Sequence, residues 1–244
     1  MKKRILVLGL LLSAALLGIT ACNLIGERGS GDLITETREV SNFDSIALEG
    51  SGDVIVSQGG GESLIVETDD NLMEHVETEV RNGTLYLGFE TDVDSRGFSP
   101  TRLIFTVGVN DLKGLSVSGS GNIESDMVET DSLEATISGS GEILIEDLIA
   151  SEVTGKISGS GKIELSGEAV TQDVTVGGSG KYRASDLQSE SAEVSVSGSG
   201  NATVWATKTL DASISGSGSI DYFGNPSVNQ STSGSGDVIN RGDK

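Results

Sequence analysis

The chain has 244 residues, of which 36% are hydrophobic and 4% aromatic, enough for one folded domain with a thin, aliphatic core. Its single cysteine excludes an internal disulfide, so the fold must hold by packing. A formal net charge of −21 sets the chain against nucleic acid and anionic membrane surfaces, both of which present phosphate, and no nucleic-acid partner is expected.

Residues 1–21 read as an export signal: Lys2, Lys3 and Arg4 precede an apolar run from Ile5 to Leu17 that is too short for a spanning helix. The stretch "ITAC" resembles the lipobox of bacterial lipoprotein signals, which implies cleavage before Cys22 and acylation of that residue. The expected location is the bacterial cell envelope, with the chain exported and lipid-anchored in the outer membrane or at the cell surface. Cleavage leaves 13 basic against 37 acidic residues, a net charge near −24.

Residues 22–31, with three glycines and little apolar pattern, read as a tether. Residues 32–112 form an N-terminal β layer or cap, which holds five of the nine aromatic residues. Within it, "FDSIALEGSGDVIVSQGGGESLIVETD" predicts two strands around a glycine turn, and "VETEVRNGTLYLGF" predicts a hairpin about Asn82-Gly83. The segment "TRLIFTVGV" supplies another strand.

Residues 113–244 carry a repeat, and 32–244 read as one continuous domain. Counted from the first residue of each SGSG, copies fall at Ser118, Ser138, Ser158, Gly177, Ser197, Ser215 and Ser233, in steps of 20, 20, 19, 20, 18 and 18. An additional copy, "EGSGDVIV", stands apart at Glu49 to Val56. Leu133, Ala135, Ile137, Gly139, Gly141, Ile143 and Ile145 share parity, so period-two alternation runs through the glycines and predicts strands. Both glycines of each SGSG are expected to face inward, the serines outward, at a corner where the backbone turns sharply. One such repeat suits one coil of a β-solenoid of about 20 residues, whereas a propeller blade needs roughly 40. Coils stacked about 4.8 Å apart would make a rod near 30 Å long. An antiparallel sandwich also has evenly spaced strands but does not explain one corner recurring in phase.

With the lipobox, "FDSIALEGSGDVIVSQG", "NGTLYL" and the serial "SGSGNI" and "SGSGKI" units in place, the chain resembles the head GIN domain family of autotransporter-adhesin-like proteins over roughly Thr37 to Asn240. The resemblance implies an all-β, right-handed parallel β-helix fold, export to the envelope, and no established activity or ligand residue. Eight residues follow Gly236, so no translocating barrel is expected in this chain.

The chemistry-bearing residues are sparse. His75 is the single histidine and reads as a surface residue among acids. A β-helix polysaccharide lyase is the enzyme alternative. It would need a column of carboxylates with a basic residue, and the position after each SGSG reads Asn122, Glu142, Lys162, Lys181, Asn201, Ser219 and Asp237. That ladder is mixed, so no catalytic residue and no cofactor is expected. Calcium β-rolls need Asp in every copy of a repeat of about nine residues. Here only Asp53 and Asp237 follow a GSG, and no metal site is expected.

Trp205 is the candidate ligand contact. Strict alternation with Ala202 and Val204 points it outward, where it could stack on a sugar ring, while a local bulge or an overlying loop would bury it. Outward Ser118, Ser138, Ser158 and Ser197 could form a polar face. The Arg241–Asp243 tripeptide "RGD" reads as coincidence in a chain rich in Gly and Asp. The expected role is a non-enzymatic binding or structural one, with a membrane reached through the lipid, a polysaccharide or surface protein as partner, and self-association into a homo-oligomer as a further expectation.

Overall fold

A computed structural model describes residues 26–90 and 97–244, so Cys22 and the signal segment lie outside the described residues. Strand makes up 74% of the chain and helix 1%, arranged as a β-solenoid of about 6 turns with about 20 residues per coil. The cap holds β1 (Glu27–Arg28), β2 (Leu33–Arg38), β3 (Ser45–Gly50), β4 (Asp53–Gln58), β5 (Ser63–Asp69), β6 (Val76–Arg81), β7 (Thr84–Phe89), β8 (Phe98–Ser99) and β9 (Leu103–Val109). The coils follow as β10 (Gly114–Gly119), β11 (Asn122–Gly139), β12 (Glu142–Gly159), β13 (Lys162–Gly178), β14 (Lys181–Gly198), β15 (Asn201–Gly216), β16 (Ser219–Phe223), β17 (Ser227–Gly234) and β18 (Asp237–Asn240).

Successive coils pair in parallel, residue over residue, from β10 to β18. Each long strand is bent rather than straight. In β11 the alternation of buried and exposed residues breaks at Asp126-Met127 and Asp131-Ser132, where two neighbours are exposed together, and this divides the coil into three faces. The core is a set of aliphatic columns, such as Val54, Ile123, Ile143 and Ile163. Where Tyr182 enters this column, Ala202 follows it, and its ring fills the room left by Gly155 on a facing side, where a Cβ would lie 2.6 Å from Cε2. Large beside small is how a thin core reaches close packing.

The SGSG corner carries two glycines with different duties, which corrects the expectation that both face inward. The second, as at Gly141, is buried, and a Cβ there would meet Val117 Cγ1 of the coil below at 2.6 Å. The first, as at Gly139, faces outward with φ 138°, and a Cβ on it would strike the carbonyl oxygen of Gly119. That oxygen accepts a hydrogen bond from Ser140 N at 2.8 Å, and the same bond recurs up the stack, Ser160 N to Gly139 O and Ser199 N to Gly178 O both at 2.8 Å. The coil thus turns its corner without breaking the ladder between coils.

The copy at Glu49–Val56 does not stand apart. Gly119 pairs with Gly50 and Asn122 with Asp53, so β3 and β4 are the first rung of the same column, and residues 59–112 are an excursion inserted after it. For the same reason the predicted pair of strands around a glycine turn is three strands. The first SGSG splits β3 from β4, and β5 pairs antiparallel with β9, which lies between it and β4. The β6–β7 hairpin forms as expected, with Asn82 at φ 52° and Gly83 at φ 81°, the left-handed pair of a type I′ turn.

Residues 27–31 lie on the cap. Here β1 pairs with β8, and buried Asp69 accepts hydrogen bonds from Gly31 N and Thr101 N, both at 2.7 Å. Burial alone would raise the Asp69 pKa, but these N–H groups outweigh it and hold the carboxyl below its usual range. His75 is half-buried rather than a free surface residue. Its Nδ1 meets Glu90 at 2.7 Å and its ring stacks on Phe98 with centroids 4.9 Å apart.

Candidate functional site

Coil length varies away from the SGSG corner. Between β12 and β13 the register steps from Ile145 over Leu165 to Leu148 over Gly167, so one residue is lost there. Between β14 and β15 it steps from Ala184 over Val204 to Gln188 over Trp205. Ser185, Asp186 and Leu187 therefore have no partner in the coil above, and they leave a ledge beneath it.

Trp205 stands at that ledge. Ala202, Val204 and Ala206 are buried around it, so it keeps the outward phase that alternation requires, yet it is only partly exposed. Phe223 is its register partner in the next coil, and the Trp205 ring lies beside Gly224, where a Cβ would be 3.3 Å from Cδ1. Two outward-phase aromatic residues thus occupy the same position in successive coils.

Charged groups ring the pair. A groove of about 420 Å³ is lined by Glu164, Arg183, Asp186, Thr203, Asp221, Phe223 and Arg241. Residues 241–244 return across it: Arg241 N donates to Tyr222 O at 2.8 Å and its guanidinium meets Asp221 at 2.9 Å. Lys244 Nζ meets Asp186 at 2.5 Å and lies 4.9 Å from the Phe223 centroid and 5.8 Å from that of Trp205. The Lys244 ammonium, followed by the Ser185 hydroxyl, holds the Asp186 carboxyl below its ordinary pKa. The "RGD" arginine is thus laid flat on the sheet by Asp221.

The residues after each SGSG do stack as one column, running Asp53, Asn122, Glu142, Lys162, Lys181, Asn201, Ser219, Asp237. Within it Lys162 binds Glu142 at 2.5 Å and also Glu164 at 2.9 Å, and its pKa is raised by Glu142 first and Glu164 second. Among the described residues no three His, Cys, Asp or Glu side chains are placed to hold a metal ion. Ser118, Ser138, Ser158 and Ser197 face solvent in one line on another side.

Of the sequence-level candidates, only Trp205 lies at this ledge, and Cys22 is outside the described residues. Phe223, Asp186, Arg183, Arg241 and Lys244 were not legible as its companions. The signal that could have found them is the shortening of the last repeat steps to 18, which marks where a coil loses its corner.

Fold and corner together define a capped β-solenoid built on a recurring SGSG bend, with one aromatic ledge near its far end. The chain belongs to the family described as "Putative auto-transporter adhesin, head GIN domain", whose model matches residues 42–226. Among solved structures it is similar to a "putative adhesin" from Bacteroides fragilis, at 28% identity and a TM-score of 0.82, covering 88% of this chain and 100% of the other. It is also similar to a "Putative lipid binding protein" from Parabacteroides distasonis, at 29% identity and a TM-score of 0.75, covering 87% of this chain and 98% of the other. A "putative adhesin" from the same species matches at 26% identity and a TM-score of 0.71, over 88% of this chain and 99% of the other. Comparison with curated proteins finds no match.

Proposed function

We propose that the protein is a non-enzymatic, adhesin-like rod of the cell envelope, exported, held by lipid on Cys22, and binding polysaccharide at the Trp205 ledge. The carrying observation is the outward Trp205–Phe223 register pair, of which Phe223 lines a groove walled mainly by charged and hydroxyl groups. Flat aromatic faces cover the apolar face of a sugar ring while the polar rim reaches its hydroxyls. The family and the adhesin neighbours support the same role.

The placement of the ledge suits presentation. Five residue steps lead from Cys22 to docked Glu27 and reach at most about 17 Å, which keeps the cap near the lipid. Trp205 lies five coil spacings beyond the first rung, about 24 Å further out. The enzyme alternative gains no support from this corner, where Glu164, Asp186 and Asp221 each lie against a Lys or Arg.

The test is an array of bacterial and host polysaccharides probed with residues 23–244 and with Trp205→Ala, lipid vesicles included as a separate arm and products checked by mass. Saturable polysaccharide binding without cleavage, lost in Trp205→Ala, is the expected result. Cleaved products would establish an enzyme instead, and binding that ignores Trp205 would remove the ledge from the account.

A further inference from the structure

The Trp205 ledge already holds an ammonium group, the chain's own. Lys244 Nζ sits against two aromatic rings and the Asp186 carboxylate at once. Ring faces are negative at their centres and attract a cation within about 6 Å, and a carboxylate completes its neutralisation. These are the elements by which a protein surface recognises an amine.

The charge balance points the same way. Without Lys244, Glu164 is still held by Lys162 and Asp221 by Arg241, and Asp186 is the groove carboxylate that loses its cation. The field of a chain with net charge −21 adds to the attraction of cations over anions. Lys244 can also leave without unfolding anything. Its neighbours stay fixed by Arg241 N to Tyr222 O and Gly224 N to Gly242 O at 3.0 Å, while its own side chain needs only to rotate outward.

Resting on the polysaccharide reading above, we propose that the ledge is an ammonium subsite that takes the free amine of an amino sugar in a de-N-acetylated polysaccharide. Lys244 is the intramolecular stand-in that this amine displaces. An N-acetylated sugar offers a neutral amide at that position, which cannot pair with Asp186 and forfeits the ring attraction. The specificity lies in the charge and not in the sugar ring.

Trp205 is the only tryptophan, so its fluorescence reports this site alone. The experiment titrates the full chain in detergent micelles with a glucosamine tetramer and, separately, with an N-acetylglucosamine tetramer. The free amine should give a saturable change, with the acetylated tetramer at least roughly 10-fold weaker, the order of one lost charge contact. Asp186→Asn should weaken the amine by about the same factor and leave the acetylated tetramer unmoved. Lys244→Ala should tighten amine binding, by about 10-fold if Lys244 fills the site nine-tenths of the time, because the competent fraction rises.

Equal affinity for the two tetramers would overturn the ammonium subsite. So would a Lys244→Ala variant that binds more weakly, since Lys244 would then belong to an anion site. Amine binding that ignores Asp186→Asn would reduce the effect to general attraction by an acidic surface and would overturn it as well. The polysaccharide reading fails separately. Trp205-dependent binding of an amine-free polysaccharide would keep that reading and sink the amine, whereas an array with no Trp205-dependent binding sinks the reading itself.

Discussion

Replacing Gly139 by Ala tests the account of the repeat by its sign. The residue stands at φ 138°, a region in which an L side chain is strained by about 1–3 kcal/mol. Its new Cβ would also push against Gly119 O, the acceptor of the Ser140 N–H bond of 2.8 Å, and loosening that bond costs about 1 kcal/mol. The expected loss is therefore about 2–4 kcal/mol, a large part of the stability of an ordinary domain. Gly60 is the internal control: it has nothing within 4 Å of a Cβ and no left-handed backbone, so Gly60→Ala should be neutral or stabilise by about 0.4–1 kcal/mol through the unfolded chain. Urea unfolding followed by circular dichroism gives the differences, with Ser138→Ala, outward and exposed, staying within about 0.5 kcal/mol. If Gly139→Ala proved as harmless as Gly60→Ala, the SGSG would be a flexible spacer and the corner argument would fall.

Buried Tyr182 donates to Gln172 Oε1 at 3.0 Å, and Gln172 donates in turn to Ser189 Oγ at 2.9 Å. Tyr182→Phe should cost about 1–3 kcal/mol in urea unfolding by leaving the amide oxygen unpaired, and adding Gln172→Leu should recover part of that. Gly83→Ala in the β6–β7 turn should cost about 1–2 kcal/mol from backbone handedness alone, because the nearest atom to its Cβ is a side-chain oxygen 3.7 Å away; thermal melting reads this against Gly139→Ala. His75 has its pKa raised, chiefly by the hydrogen bond to Glu90. A raised folded pKa stabilises below the unfolded value near 6.5 and loses that contribution as pH rises through the folded value, so exchange protection of Glu27 N and Gly29 N on the cap should fall across that window. A His75→Phe variant should lose this pH dependence, and persistence of the trend in it would point to another group.

The coils were legible because their signal is one-dimensional: apolar parity and a fixed step say where each strand lies and what stacks on it. Ile123, Ile143 and Ile163 announce one column by sequence alone. The cap was less so, since β5 and β9 are neighbours across more than thirty residues and nothing in "GGGESLIVETD" says that β9 intervenes between β4 and β5. The handedness at Gly139 was hidden for another reason. Parity counts it as an inward position, and only the turn of the backbone moves it out. The ledge was the least legible part, because it joins Asp186, Trp205, Phe223 and Lys244 from three coils and a returning segment, and its cause is three residues without partners rather than any motif.

That cause also separates what holds the rod together from what it can bind. Each coil touches only its neighbours, so a solenoid is stabilised locally, coil by coil. The SGSG corner cannot change its length or its glycines without disturbing a bond to the coil below, and from Gly50 to Gly234 its register never slips. The other corners tolerate a change of length, since the register shifts after Ile145, Glu164 and Ala184 leave the parallel ladder intact on either side. Three unpartnered residues at Ser185–Leu187 were enough to make a ledge, place two aromatic residues beside it and draw in Lys244; the column Leu148, Gly167, Leu187 ends there, while Ala184, Val204 and Tyr222 stack past it. Chemistry in this architecture belongs where coil length changes.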